Sequence, residues 1–272
     1  MPLAIRDAVP DFRNPGSQAC TQAQFETPEF EFWCREIREP FRYHRKLWEY
    51  CYLLQALATN GMIAPGRRGV GFGVGKEMTV AVLAARGVHV TATDLDLSTA
   101  QKEWVETGQH AAGLADLNDK WICPPDLFAR LVDFRVEDMN AISPDLTGYD
   151  FAWSLCAFEH LGSIPNGLAF VKNSLKCVRP GGILVHTSEL NCFSDDATLD
   201  SGPVVIFRRQ DFTRLAEALT AEGHHIELNF NLGTGDLDRF VDVEPYTTRR
   251  HLRLSLGGHV TTSFGLIVRK AG

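Results

Sequence analysis

Residues 69–96 read GVGFGVGKEMTVAVLAARGVHVTATDLD, and the order of glycines, apolar residues and acids in them decides the fold. Gly71, Gly73 and Gly75 alternate with Phe72 and Val74, directly after the basic turn at Arg67-Arg68. Met78, Val80, Ala81, Leu83 and Ala84 then supply one apolar helix face, and Gly87 closes it, as glycine commonly does just past a helix C-terminus. His89 to Thr93 reads as a second strand with Asp94 at its carboxyl end. The order is strand, glycine turn, helix, strand. Glycines after a first strand let the backbone pass close to a ligand, and the helix start favours an anionic group. An acid at the second strand tip, 94 − 75 = 19 residues on, accepts hydrogen bonds from both hydroxyls of a ribose. This half of the fold suits a nucleoside.

Glycine spacing narrows the choice. A dinucleotide fingerprint, G-x-G-x-x-G, fails in both frames, because its third glycine falls on Val74 or on Lys76. A phosphate-binding loop fails as well, since Val70 and Glu77 stand where it needs glycine and Ser or Thr. The G-x-G-x-G of residues 71–75, with an acid ending the next strand, resembles motif I of class I S-adenosylmethionine-dependent methyltransferases. One departure stands out. The family usually carries Asp or Glu two residues before the first glycine, and this chain has Gly69. The acid that helps seat the methionine ammonium is then missing or supplied elsewhere, with Glu77 and Glu49 as candidates.

Composition bounds the rest. At 272 residues the chain is long enough for a large core, and 44% hydrophobic with 22% charged residues is ordinary for a globular protein. A net charge of −7 argues against broad nucleic-acid binding. Seven scattered cysteines without a C-x-x-C pair suit a reducing compartment, with the cytoplasm as the expected location. Neither a standard signal segment nor a membrane-spanning run is expected.

Residues 1–30 hold Pro2, Pro10, Pro15, Gly16 and Pro28 and are expected to be irregular. A helix is expected from Pro40 to the stop at Asn60-Gly61, with Leu47, Trp48, Cys51, Leu54 and Leu57 inward. Arg45 and Glu49 read first as an i, i+4 pair on a solvated face. The resemblance offers another reading, in which this helix caps the cofactor with Tyr43, Arg45 or Glu49 facing its methionine end. Beyond Asp96 a helix is expected over residues 98–110, and residues 112–130 read as a packed surface insertion around Trp121 and Pro124-Pro125.

Phe134 to Val136 reads as the third strand, ending at Glu137-Asp138-Met139. The resemblance implies that Asp138 binds the adenine amino group and that the Met139 backbone contacts the ring; a turn cap is the alternative for Asp138. Tyr149 to Leu155 reads as the fourth strand, followed by CAFEHLG. Asp150, Ser154 and Glu159-His160-Leu161 resemble motif IV of small-molecule methyltransferases, where the reacting methyl lies near this loop. A histidine of ordinary pKa near 6.5 takes a proton from a hydroxyl at neutral pH, which makes His160 the first candidate base and Glu189 the second. Cys156 stands where metal-binding relatives often carry an extra acid, so no metal is expected.

A helix over Asn166 to Cys177, an exit turn R-P-G-G at 179–182 and a fifth strand, Ile183 to Thr187, come next. Another amphipathic helix follows from Asp211 to Gly223. His224 to Phe230 and Thr261 to Val268 read as the sixth and seventh strands, with an excursion over 231–259 between them. The expected architecture is α/β, a Rossmann-like seven-stranded methyltransferase sheet of order 3-2-1-4-5-7-6 with strand 7 antiparallel. Residues 1–61 would form a helical cap and residues 62–272 the methyltransferase domain. The cofactor implied is S-adenosylmethionine, with Gly71, Gly73, Gly75, Asp94, Leu95, Asp138, Met139 and Ser154 as its contacts. Glu159, Asn191, Tyr246 and His251 are candidates for a small-molecule or glycan acceptor. A binding protein on the same fold, an N- or C-methyltransferase, and an RNA or protein methyltransferase are the rival readings.

Overall fold

The computed structural model describes residues 3–96, 113–247 and 249–272. The helix expected over 98–110 lies outside them. The strands are β1 (Ala4–Arg6), β2 (Ser17–Ala19), β3 (Tyr43–His44), β4 (Arg68–Phe72), β5 (His89–Asp94), β6 (Val132–Val136), β7 (Tyr149–Leu155), β8 (Val178–Asn191), β9 (Glu227–Asn229), β10 (Val241–Asp242), β11 (Arg250–His251), β12 (Arg253–Leu256) and β13 (His259–Arg269). The main sheet runs β1-β9-β2-β13-β8-β7-β4-β5-β6, with β12 also on β13. β4, β5, β6, β7 and β8 are mutually parallel, and β13 is antiparallel to β8 from Thr261 opposite Asn191 to Arg269 opposite Ile183. Central parallel strands are buried on both faces, which is why all seven residues of β7 are buried and read as a near-continuous apolar run.

The far edge departs from the expected order. Ser17–Ala19 enters between the seventh strand and the sixth, pairing antiparallel with β13 at Phe264 and Gly265 and parallel with β9. His225 keeps one bridge to Arg269. Residues 1–30 are therefore not irregular: they also carry short helices at Gln22–Phe25 and, with residues beyond, Pro28–Glu36. The helix Arg45–Thr59 ties this segment to the sheet. A Cβ on Gly265 would lie 2.2 Å from the Tyr52 ring, so only glycine lets that ring rest on β13. Tyr52 donates to the Gly16 carbonyl at 2.7 Å, and Trp48 stacks on Tyr52 while donating to Gln24.

Three smaller differences have local causes. The helix starts at Arg45 rather than near Pro40, because His44 is extended and its Nδ1 accepts from the Lys46 N–H as an N-cap, while β3 pairs with β11. The R-P-G-G segment is absorbed into β8, whose register against β7 shifts between Tyr149 and Phe151. Trp121 is 69% exposed rather than packed, and its neighbourhood holds a short helix at Pro125–Leu131.

Candidate active site

The helix Arg45–Thr59 packs against β7, β8 and β13. After β4 the chain turns through Gly73 and Gly75, both at positive φ (60° and 50°). The Gly75 N–H donates to Asp94 Oδ2 at 3.0 Å, and the Leu95 N–H to Oδ1 at 2.9 Å, so the tip of β5 is locked to the glycine turn. A Cβ on Gly73 would lie 3.0 Å from Ala157 and 3.3 Å from the Met139 sulfur. Three stretches read separately from the sequence thus converge on one spot, and glycine keeps it open there. Gly71 has another duty: its Cβ would collide with the Trp153 indole at 2.3 Å. The following helix begins only at Thr79 and spans seven residues, so the turn itself, not a helix N-terminus, forms this cradle.

Other expected contacts are placed differently. Asp138 is exposed and accepts from the Asn140 N–H at 2.8 Å, the geometry of a turn cap. Glu137, which the sequence reading passed over, is the buried acid here, accepting from the Ser143 N–H. Ser154, expected to contact the cofactor, turns its side chain to a neighbour. Its hydroxyl is fully buried 2.8 Å from His186 Nδ1, and Ser174 holds the opposite nitrogen at 3.1 Å. Burial lowers His186 to about 3, so its ring is neutral. Asn191 is likewise occupied in its own loop: it accepts from the Phe193 and Ser194 N–H groups and donates to Ala197 O.

Above β7 and β8 lies a buried charge network. Arg45 and Glu49 are not on a solvated face: they are 8% and 1% exposed and 3.5 Å apart. Arg45 Nη1 pairs with Glu189, whose Oε2 accepts from Thr261 Oγ1 at 2.8 Å. Burial opposes ionisation of Glu189, but Arg45 first, then Lys46 and Thr261, outweigh it and hold the carboxyl below the usual range. Glu49 accepts from Ser263, from Thr187 at 3.2 Å and from the Cys156 thiol at 3.0 Å. Glu159 accepts from Ser188 at 3.0 Å, and burial pushes it up against the pull of His160 and Lys46. Cys156, Glu159 and Glu189 bring ligand atoms within 4.8 Å of one another, but the cation among them is Arg45, and burial holds the Cys156 thiol far up.

His160 ends the loop after β7, its Nδ1 2.8 Å from the Pro203 carbonyl. The excursion reaches the same region: β11 pairs with β3, and His251 stacks on His44 at 4.7 Å. His251 Nδ1 is 2.7 Å from Asp242 Oδ2, and the exposed Tyr246 packs on its ring while donating to Ser255 O. Cavities of about 380 and 200 Å³, around Arg209 with Phe230 and around Gly16 with Arg269, contain none of these residues.

An open α/β sheet with a glycine turn, an acid at the next strand tip and an antiparallel last strand is the Rossmann-like arrangement expected from the sequence. Residues 70–186 match the family described as methyltransferase domain. That match agrees with the expectation from the sequence of a class I S-adenosylmethionine-dependent methyltransferase. In structure it is similar to magnesium protoporphyrin IX methyltransferase from Synechocystis, at 14% identity over 92% of this chain and 94% of that one, TM-score 0.48. It is also similar to TehB from Haemophilus influenzae, at 16% identity over 82% of this chain and 67% of that one, TM-score 0.49. No curated protein matches it. Among the described residues no helix is long and apolar enough to cross a membrane.

The glycine turn and Asp94 are the groups expected from the sequence to hold the cofactor and its ribose hydroxyls. Asp94→Ala is expected to weaken S-adenosylhomocysteine binding by about 1.5–3 kcal/mol, the range for hydrogen bonds to a charged group. Calorimetry showing unchanged affinity would move the ribose contact away from the β5 tip.

Proposed function

We propose that the chain transfers a methyl group from S-adenosylmethionine to a hydroxyl of a small molecule, sugars and glycan intermediates included. The observation that supports this best is the hydrogen bond at His160. A carbonyl only accepts, so Nδ1 donates to Pro203, and Nε2 is the ring nitrogen that would take a proton. That is the tautomer a general base needs, on the loop directly past β7. Glu189 is the weaker candidate, because Arg45 already holds it as a paired carboxylate.

Bound S-adenosylmethionine supplies an electrophilic methyl carbon. The chain's own part is to align the acceptor oxygen, keep water out and take the hydroxyl proton at His160. β11 of the excursion pairs with β3, directly before the helix Arg45–Thr59, and we read the two segments as cover for a small acceptor. Free cysteines throughout suit a reducing compartment, and we place the chain in the cytoplasm.

The test has two arms. S-adenosylhomocysteine is expected to raise the melting temperature by mass action and NADH to leave it unchanged. With methyl-labelled cofactor, label is expected as a methyl ether on hydroxylic small molecules. Label appearing instead on nitrogen, carbon, RNA or protein would overturn the oxygen reading.

A further inference from the structure

Glu49, Glu77, Glu159 and Glu189 are four of the buried carboxyl groups near the carboxyl ends of the central strands. Three have cationic neighbours. Glu189 has Arg45; Glu49 has Arg45 at 3.5 Å and Lys46 at 3.6 Å; Glu159 has the pull of His160 and Lys46. Glu77 is different. Its Oε2 accepts from Thr79 Oγ1 at 2.8 Å and Trp153 Nε1 at 3.2 Å, so the carboxyl is held firmly, yet no described residue bonds Oε1 and no described cation pairs with it. Its titratable neighbours are Glu49 and Tyr50 of the helix Arg45–Thr59 and Asp94 of β5. The two carboxylates repel its charge, and burial keeps the Tyr50 phenol protonated. Glu77 also belongs to the glycine turn: it lies two residues past Gly75, and the indole that holds it covers Gly71.

We infer that Glu77 receives the amino group at the amino-acid end of S-adenosylmethionine, in the role that Gly69 leaves without a carboxylate. The inference rests on the cofactor assignment. Glu49 is excluded because both of its oxygens are already occupied by Ser263, Cys156 and Thr187. Among the described residues Glu77 has no cation, and the ligand brings one. Burial pushes the Glu77 carboxyl up to about 8, so at neutral pH the unliganded protein carries it protonated. An ammonium docking at Oε1 favours the ionised form, and the carboxyl proton leaves to solvent while the ammonium keeps its own. The sign follows by linkage. A carboxyl whose folded pKa is raised contributes stability below about 4.5 that is lost as pH rises to about 8. Ligand affinity therefore increases with pH across the upper part of that window.

Titration calorimetry with two probes tests this, S-adenosylhomocysteine and 5′-methylthioadenosine, which lacks the amino-acid end. At pH 7, in buffers of different ionisation heat, wild-type protein should release close to one proton on binding the first and none on binding the second. Glu77→Gln should lose on the order of 10- to 100-fold in affinity for S-adenosylhomocysteine, stay within about threefold for 5′-methylthioadenosine, and release no proton. Glutamine replaces a carboxyl that is protonated in the free protein, so the unliganded melting temperature should hold. If that variant does not fold, the wild-type proton count decides alone. Equal weakening of both probes, or binding by wild type without proton release, would overturn the assignment to Glu77. Failure of wild type to bind S-adenosylhomocysteine at all is a separate result, and it would bring down the cofactor assignment itself.

Discussion

Arg45→Met is expected to lower stability by about 3–5 kcal/mol, because it leaves the Glu189 carboxylate buried without its cation. Water cannot take over: Arg45 is 8% exposed and Glu189 3%. Methionine has nearly the length of the arginine stem, so little of the loss comes from an empty volume. Glu49 loses its 3.5 Å partner in the same step and keeps only Lys46, whose side chain is 40% exposed. Glu189→Gln placed in the Arg45→Met background should recover part of the loss, since it removes the stranded charge; that non-additivity is the signature of a coupled pair. Urea unfolding measures both. A loss under about 1 kcal/mol is what an exposed pair gives, and it would remove the buried network from this site.

That network shows where the sequence stops being readable. Arg45 and Glu49 are four residues apart, which on a helix surface is an ordinary solvated pair. Their burial is set by Glu189, Thr187 and Ser263, which arrive from β8 and β13 and carry no local mark of that contact. The central strands were legible for the opposite reason. β4, β5, β7 and β8 are parallel and covered on both faces, so each announces itself as an apolar run ended by a turn. β2 announces nothing: Ser17–Ala19 is three residues long, and its place in the sheet depends on Gly265 admitting Tyr52 on the other side.

The site divides in the same way. The turn through Gly73 and Gly75 and the acid at Asp94 could be read from spacing because turn geometry restricts both residue type and interval, and the structure joins Gly75 to Asp94 by a direct hydrogen bond. A polar residue at a strand tip is a weaker sign, since it can face a ligand or a neighbour. Ser154 faces His186, and Asn191 faces its own loop. The partner of Ser154 is a buried histidine on β8, and nothing in the fourth-strand pattern points to it. Glu77 is the converse case. A departure in the pattern, Gly69, asked for an acid elsewhere, and the choice between Glu49 and Glu77 needed the hydrogen bonds.

Replacing His160 by Gln or Ala is expected to lower the rate of methyl transfer to a hydroxyl by on the order of 10²–10⁴, with S-adenosylhomocysteine affinity nearly unchanged. The hydroxyl becomes more acidic as its oxygen attacks, so a base placed beside it acts mainly in the transition state, and the loss should fall on kcat rather than on cofactor binding. The sign with pH follows from the role. A base works only when deprotonated, so wild-type activity should fall on the acid side, and the variants should lose that limb. Pro203 adds a second check, since its carbonyl sets the tautomer from outside the reaction. Shifting the 203 carbonyl by rebuilding its loop should cost rate without removing the acid limb, because the imidazole is still present but less well aimed. If His160 served only to shape the loop after β7, the substitutions would reduce stability and cofactor affinity together with the rate. Variants that keep both the acid limb and kcat would remove His160 as the base, and with Glu189 already paired to Arg45, the acceptor would then have to reach the site as a nucleophile that needs none.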